Sequence, residues 1–429
     1  MIKNFSIENF KGYFGRYDFE FPGLTYLTGA NNSGKSSVIQ ALYMIASSNS
    51  NNFEPSLLLN TPNYSFGSFS DILNKNCSNK ENINFELNFD NFNILLKYEN
   101  NEIENYNPIL KELQVEFIDK NKKTKNYAFK RDIQKDPEKN YFFNWFNITK
   151  TGKLQKRGNA LVMGFTPQIV LEAIKDINIE DMIHFRHGFA YLQTNTIKYL
   201  KAYRIEGKPN YLIKGNSITD IGITGDATAE AIYKMMQGNK TVKFGERESF
   251  AEIFQRWFKR IIGENYSLAV ESHDGTLKIK IEEDLQKQQR YGITEVGFGF
   301  SQIIPIIAMI LLSEENDVLL IENPEVHLHP KLQANLADLF VFAIKYNRKL
   351  IIETHSEHII NRTRLLVKQD ENQSKLTDKI NLYFFEKIFK DNETYIRNEE
   401  IKIDETGKLS NWPKDFFDQY YYDGLGLIK

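Results

Sequence analysis

The stretch Gly29-Ala30-Asn31-Asn32-Ser33-Gly34-Lys35-Ser36 constrains this chain more than any other. It has the spacing of a phosphate-binding loop and lies between an apolar run (Leu24, Tyr26, Leu27) and the apolar-periodic segment Val38 to Ala46. That order predicts a strand, a loop and a helix. The loop must curl so that several N–H groups and the helix N-terminus face one anion. Gly29 and Gly34 permit the curl, Lys35 supplies a point charge for the outer phosphates, and Ser36 offers a hydroxyl to Mg²⁺. Gly29, Asn31, Asn32, Ser33, Gly34, Lys35, Ser36 and Ser37 are the candidate nucleotide-binding residues. A nucleoside triphosphate, ATP above all, is the expected ligand.

Composition sets wider bounds. A chain of 429 residues, 41% hydrophobic and 26% charged, has ample material for a core and for roughly two or three domains. No apolar run is long enough to span a bilayer, and MIKNFSIENF alternates like a strand instead of forming a signal peptide. A cytoplasmic chain that avoids membranes is expected. Cys77 is the single cysteine, which excludes an intrachain disulfide and a cysteine-based zinc site. The net charge of −2 makes no global case for nucleic-acid binding, so any such surface has to be local.

The pattern along the chain predicts an α/β protein in three parts. Residues 1–150 form an N-terminal lobe, where Ile83 to Phe89 alternates as a half-exposed antiparallel strand and Ile94 to Tyr98 and Leu113 to Ile118 continue the sheet. The basic stretches Lys120 to Lys125 and Lys150 to Arg157 read as exposed loops or hairpin tips. Residues 151–275 read as a mainly helical insertion, from the spacing of Ile169, Val170, Leu171, Ala173 and Ile174, and of Phe250, Ile253, Phe254, Trp257, Phe258 and Ile261. Residues 276–429 form a C-terminal lobe of alternating strands and helices.

Three further motifs lie in that last part. Gly297-Phe298-Gly299-Phe300-Ser301-Gln302 reads as a polar cap before an apolar helix, a second anion-facing helix start. Val318 to Ile321 is a buried strand that runs into Glu322-Asn323-Pro324-Glu325, where one carboxylate can hold Mg²⁺ and a neighbour can orient water. Leu350 to Glu353 is another buried strand, followed by Thr354-His355-Ser356. Parallel sheets carry ligands at the carboxyl ends of their strands, so these acids and His355 are expected to serve the same phosphates as Lys35.

The order of these motifs resembles the ABC-type ATPase heads of the SMC, RecF and overcoming-lysogenization-defect group. Phe5-Ser6-Ile7-Glu8-Asn9-Phe10-Lys11-Gly12 is similar to the opening of those heads. Phe66 to Asp71, Val296 to Gln302, Ile321 to Pro330 and Ile352 to His358 resemble stand-alone bacterial ATPases found beside phage-defence nucleases, as in Septu-like systems. Ser301 precedes Glu322 by 21 residues and His355 follows it by 33, and both spacings suit the family. The resemblance implies a head of two lobes, a mixed sheet around the phosphate loop plus antiparallel strands, with an insertion that carries no comparable signal. It implies ATP and Mg²⁺ as cofactors, Ser36 and Glu322 as the metal-linked residues, and Gly299 and Ser301 as contacts to the γ-phosphate on a partner head. His355 would be the switch histidine. Asn323 stands where most such ATPases carry a catalytic glutamate, and an amide is no general base, so hydrolysis is expected to be slow or to use Glu325. No glutamine is clearly the link to an effector domain; Gln40 reads as packing, and the Phe66 to Asp71 loop is the better candidate.

Other readings compete at several places. His327, His329, His355 and His358 have pairwise metal-ligand spacing, but the proline frame and the resemblance explain them without a metal. The basic runs are solvated loops or a local DNA contact. Trp412, Phe416, Phe417 and Tyr420 to Tyr422 are terminal packing or a docking tail. The resulting expectation is an ATPase that pairs with a second head around ATP and regulates a separately encoded nuclease in anti-phage defence. The alternative is an SMC/RecF-like ATPase that clamps or repairs DNA.

Overall fold

The computed structural model describes residues 1–51, 54–78, 81–101, 107–119, 121–132, 142–149, 151–163, 166–169, 188–215, 217, 219–284, 289–370, 375–390, 393–414 and 416. The chain folds into two compact units that do not follow chain order. One comprises Met1–Phe21, Ala30–Ile197 and Glu386–Arg397; the other comprises Pro22–Gly29, Lys198–Phe385 and Asn398–Lys429.

The first unit is built on a nine-stranded antiparallel sheet. Its strands Phe92–Glu99, Ile109–Ile118, Thr124–Arg131, Phe142–Ile148 and Leu154–Met163 lie side by side in sequence order, with Ile83–Asn88, Asn4–Glu8 and Arg16–Glu20 on one flank and Thr166–Ile169 at the other edge. Ile83–Asn88 alternates between buried and half-buried side chains, as its sequence predicts. Both basic stretches fall at hairpin turns. Asp119 N–H donates to the Lys123 carbonyl at 2.9 Å with Lys122 at φ 58, and Thr149 N–H donates to Lys153 at 2.9 Å with Gly152 at φ 77. The helix Lys35–Asn51 belongs to this unit and buries Val38, Ile39, Leu42 and Ile45.

The second unit holds a six-stranded sheet in the order Ile197–Leu200, Val318–Glu322, Lys349–Glu353, Leu24–Gly29, Ile380–Lys390, Glu393–Lys402. The four central strands run parallel. Leu24, Leu319 to Ile321 and Leu350 to Ile352 are fully buried, the continuous apolar reading of a sheet covered on both faces. The helices Gly299–Leu311, Pro330–Lys345 and Glu357–Lys368 follow the pattern read from the C-terminal lobe. Phe250–Ile262 buries the six residues its spacing predicts, and its Trp257 ring packs 4.9 Å from Phe342. Asp338, on Pro330–Lys345, accepts from Arg362 Nε at 2.8 Å and from Arg260 Nη2 at 3.2 Å, tying three helices together.

One expectation needs correction, and one pair of alternative readings is decided in part. The stretch 151–275 is mixed, with strands at Leu154–Met163, Thr166–Ile169, Ile197–Leu200 and Tyr266–His273 beside the helices Thr228–Gln237 and Phe250–Ile262. Ile169 ends a strand, since pairing with Ala160 overrides its local helical spacing; Val170 to Ile174 lie outside the described residues, as do Lys120 and Lys150. In the tail, Phe416 is 1% exposed and packs on Phe384 at 5.6 Å, so it is core; Trp412 is 43% exposed beside Arg364. Phe417 and Tyr420 to Tyr422 lie outside the described residues.

Phe416→Ala should therefore cost roughly 3–5 kcal/mol of unfolding free energy, against about 1 kcal/mol or less for Trp412→Ala. Urea unfolding of both variants checks this; equal small losses would show that Phe416 is not part of the core.

Candidate functional site

The phosphate loop begins where a buried parallel strand ends. Gly29 has φ 128, and a Cβ there would lie 2.0 Å from the Phe385 carbonyl oxygen, so only glycine fits. Asn32 at φ 59 and Gly34 at φ 98 continue the curl, and Lys35 opens the helix. A Cβ on Gly34 would meet Ile396 and the Tyr13 ring, and the Tyr13 hydroxyl donates to the Gly34 carbonyl at 2.9 Å. Ser33 Oγ and Lys35 Nζ both donate to the Ala30 carbonyl, at 2.7 and 2.6 Å, so the lysine folds back across its own loop. Left-handed positions packed hard from behind, with a buried lysine and a helix start, suit a phosphate chain. Ser36, the first hydroxyl of that helix, suits the Mg²⁺ that accompanies it.

Near this loop, Lys11 donates to Gln40 Oε1 at 2.7 Å and stands 4.3 Å over the Phe66 ring. Gln40 is thus joined to the Phe66 to Asp71 loop through Lys11, a link beyond the packing role its helix position predicts.

In the second unit, register brings the acids together. Glu322 pairs with Glu353 and Glu353 with Leu27, and Asn323 N–H donates to Glu353 O at 2.8 Å while Thr354 N–H donates to Leu27 O at 3.0 Å. The acid strand, the histidine strand and the strand that leads to Gly29 therefore end on one edge. Glu322 is buried, and its carboxylate accepts from the Tyr199 hydroxyl at 2.7 Å and from Ala202 N–H at 3.3 Å. Asn323 sits at φ 40, and its buried Oδ1 has no hydrogen-bond partner. Glu325 accepts from His355 N–H at 2.6 Å and Thr354 Oγ1 at 2.8 Å, which braces the Thr354-His355-Ser356 segment, and the His355 side chain is exposed.

The segment Gly297 to Gln302 packs against the loop after the acids. A Cβ on Gly299 would lie 3.1 Å from the His327 carbonyl, and the Phe298 ring meets the His327 ring edge-on at 4.7 Å. Ser301 lies within the first turn of the helix instead of capping it; Phe298 is the cap, and Ser301 Oγ donates to its carbonyl at 2.7 Å. His329 is a helix cap whose Nδ1 accepts from Lys331 N–H. Among the described residues no group of three or more His, Cys, Asp or Glu side chains is arranged to hold a metal ion.

Tyr199, Ala202 and Arg204 escaped the sequence reading. Arg204 is 1% exposed; Nη2 donates to the Glu322 carbonyl at 2.6 Å and the Asn323 carbonyl at 3.2 Å, while Nε and Nη1 have no partner. Burial brings its pKa down to about 10, against the pull of Glu325 and Glu322. The only sequence signal was a polar run, Lys201 to Arg204, after the short apolar strand Ile197–Leu200.

The strand that leads to Gly29, the buried acid strand and the histidine strand share one parallel sheet, an arrangement that suits a nucleotide-binding class of protein. Residues 1–360 match the family described as AAA ATPase domain, and the chain belongs to that family. Residues 377–423 match a second family, described as a protein of unknown function, DUF3696. No curated protein matches the chain. Solved structures similar to it include an SMC head bound to the C-terminal winged-helix domain of ScpA (12% identity, TM-score 0.42, 93% of this chain and 97% of that one). Another is the SMC head domain from Thermotoga maritima (11%, TM-score 0.37, 92% and 98%). A third is an SMC head with an extended coiled coil bound to the C-terminal domain of ScpA derived from Pyrococcus furiosus (11%, TM-score 0.43, 93% and 96%). Among the described residues no helix is long and apolar enough to cross a membrane.

Burial raises the Glu325 carboxyl above its ordinary value of 4.5, against the lowering by its hydrogen bonds and Arg204. The fold thus favours the protonated form, and this contribution is complete below the ordinary value and lost as pH rises through the elevated one. Denaturant unfolding should find wild type losing stability relative to Glu325→Gln as pH rises above the ordinary carboxylate value of 4.5. A pH-independent difference between the two would show that Glu325 titrates normally.

Proposed function

We propose that this chain is an ATP-binding, slowly hydrolysing ABC-type head that pairs with a second copy around two ATP molecules and regulates a separately encoded nuclease in anti-phage defence. The observation that carries the ATPase part is the shared carboxyl edge of three parallel strands, which lead into Gly29, Glu322 and Thr354-His355. In this reading Lys35 and the loop N–H groups hold the phosphates, and Ser36 and Glu322 serve Mg²⁺, the glutamate oriented by Tyr199. The metal supplies charge neutralisation on the phosphates. Gly299 and Ser301 reach the nucleotide of the partner head, and His355, held through its backbone by Glu325, reports on it.

Slow turnover follows from Asn323. Its unpartnered Oδ1 can accept from a water but cannot take the proton. Glu325 already accepts two hydrogen bonds, which supports a bracing role over that of a free base. A long-lived ATP state suits a held signal. The defence role is supported by the likeness of the four motifs to ATPases beside phage-defence nucleases, and the coupling route we favour is the Lys11, Gln40 and Phe66 cluster.

Lys35→Ala should abolish binding of a fluorescent ATP analogue, whereas Ser301→Arg should keep binding and lose ATP-dependent dimers in light scattering. Loss of binding in a folded Ser301→Arg protein would contradict a site shared between two heads. Asn323→Glu should raise hydrolysis roughly a hundredfold; no change would remove Asn323 from the site. Co-purification with the products of adjacent genes tests the effector: a small nuclease supports defence, while recombination proteins or duplex DNA alone would favour the DNA-clamping reading.

A further inference from the structure

The second unit carries a cavity of about 590 Å³ at the amino-terminal edge of its sheet, away from the carboxyl edge that holds Glu322 and Glu353. Four cations line it, Lys240, Lys243, Arg247 and Arg348, with Glu314 and Glu315 as the only carboxylates. Lys243 and Arg247 come from a hairpin, Thr241–Phe244 with Glu246–Ser249, in which they stand directly opposite each other. Like charges in that register destabilise a two-stranded ribbon. Of the two hairpin carboxylates, Glu248 is taken by Arg256 at 2.8 Å and Glu246 stands opposite Phe244, and no ion pair engages Lys240, Lys243 or Arg247 among the described residues.

Helix-end neutralisation does not account for these charges. The carbonyls at the end of Gly299–Leu311 already have cations: Lys198 Nζ lies 3.4 Å from Leu312 O and Arg348 Nη2 lies 2.9 Å from Ser313 O. Arg348 is 4% exposed, stacks 4.0 Å from the Phe244 ring, and also donates to the Lys243 and Tyr346 carbonyls. Its Nε remains buried without a partner. Asp317, Glu315 and Glu314 already act on Arg348, whereas Lys240, Lys243 and Arg247 have no carboxylate partner among the described residues, so the mouth of the cavity is short of an anion. Met235, Val242 and Leu312 add an apolar wall, so the cavity suits a ligand with an anionic end and a flat apolar body.

We propose that this cavity binds a small phosphorylated ligand of nucleotide size, separate from the phosphate loop. Lys240 and the hairpin cations Lys243 and Arg247 take the phosphate, Arg348 holds the carbonyls behind them, and the base lies against Met235, Val242 and Leu312. A concave wall of this volume fits a small molecule better than a nucleic-acid strand, which needs cations in a stripe. Because Leu312 to Glu315 directly follow the helix that begins at Gly299, occupancy would act on the far end of the signature helix, giving the ATPase a second input.

The test uses the full-length Lys35→Ala protein, which silences the outer-phosphate lysine, and a fluorescent AMP derivative. Saturable binding is expected, displaced by unlabelled AMP and weakened at least about tenfold by adding Lys243→Ser and Arg247→Ser. The melting temperature of the triple variant should be unchanged or raised, since the opposed like charges are gone. Competition by inorganic phosphate supports phosphate recognition. No saturable binding, binding indifferent to the hairpin substitutions, or displacement by a DNA oligonucleotide but not by AMP would overturn the proposal. A separate ATP titration of the wild-type and Lys35→Ala proteins reports on the phosphate loop, so the two readings fail independently.

Discussion

Parallel pairing of Lys349–Glu353 between Val318–Glu322 and Leu24–Gly29 is the constraint on which the candidate site edge depends. Strands in parallel register end on the same side, and two backbone bonds beyond the regular ladder, Asn323 to Glu353 and Thr354 to Leu27, keep that side ordered past the last paired residues. A slip of Lys349–Glu353 by one residue would turn Glu353 to the other face of the sheet and end its pairing with Glu322. The acids, the switch segment and the start of the phosphate loop are therefore a single structural object, although more than 290 residues of sequence separate Gly29 from Glu322.

The same edge carries costs that a purely structural sheet would avoid. Arg204 is buried with two unused donor positions, Asn323 holds a left-handed backbone with an unpartnered oxygen, and Glu325 is pushed toward its neutral form. An unsatisfied buried donor or acceptor costs about 1–3 kcal/mol. The surrounding apolar strands and helices hold these groups in place, and Asp338 with its two arginines fixes the helices behind them. Groups kept in that condition break local rules of the kind that functional sites break, which is consistent with the role proposed for this edge.

The helix Gly299–Leu311 joins the two ends of this unit. At 13 residues it is about 20 Å long, it is buried almost throughout, and its ends meet different chemistry. Its start packs against His327 in the loop that follows the acids; its end is neutralised by Lys198 and Arg348 next to the basic hairpin. A buried helix packed on a loop at its start and held by two cations at its end is well suited to carry a shift from one to the other.

By itself the sequence determined the elements whose signal is local. The phosphate loop, the buried strands Val318–Glu322 and Lys349–Glu353, the amphipathic helix Phe250–Ile262 and the alternating strand Ile83–Asn88 were legible because spacing along the chain dictates which face is buried. Only the tertiary structure decided how the chain divides, since Leu24–Gly29 leaves its sequence neighbours to join strands that come some 300 residues later. It also decided that Ile169 is strand, that Phe416 is core, and that Tyr199 and Arg204 attend Glu322. Each of these depends on a contact between residues far apart in sequence, and such contacts leave no periodic trace in the residues that make them.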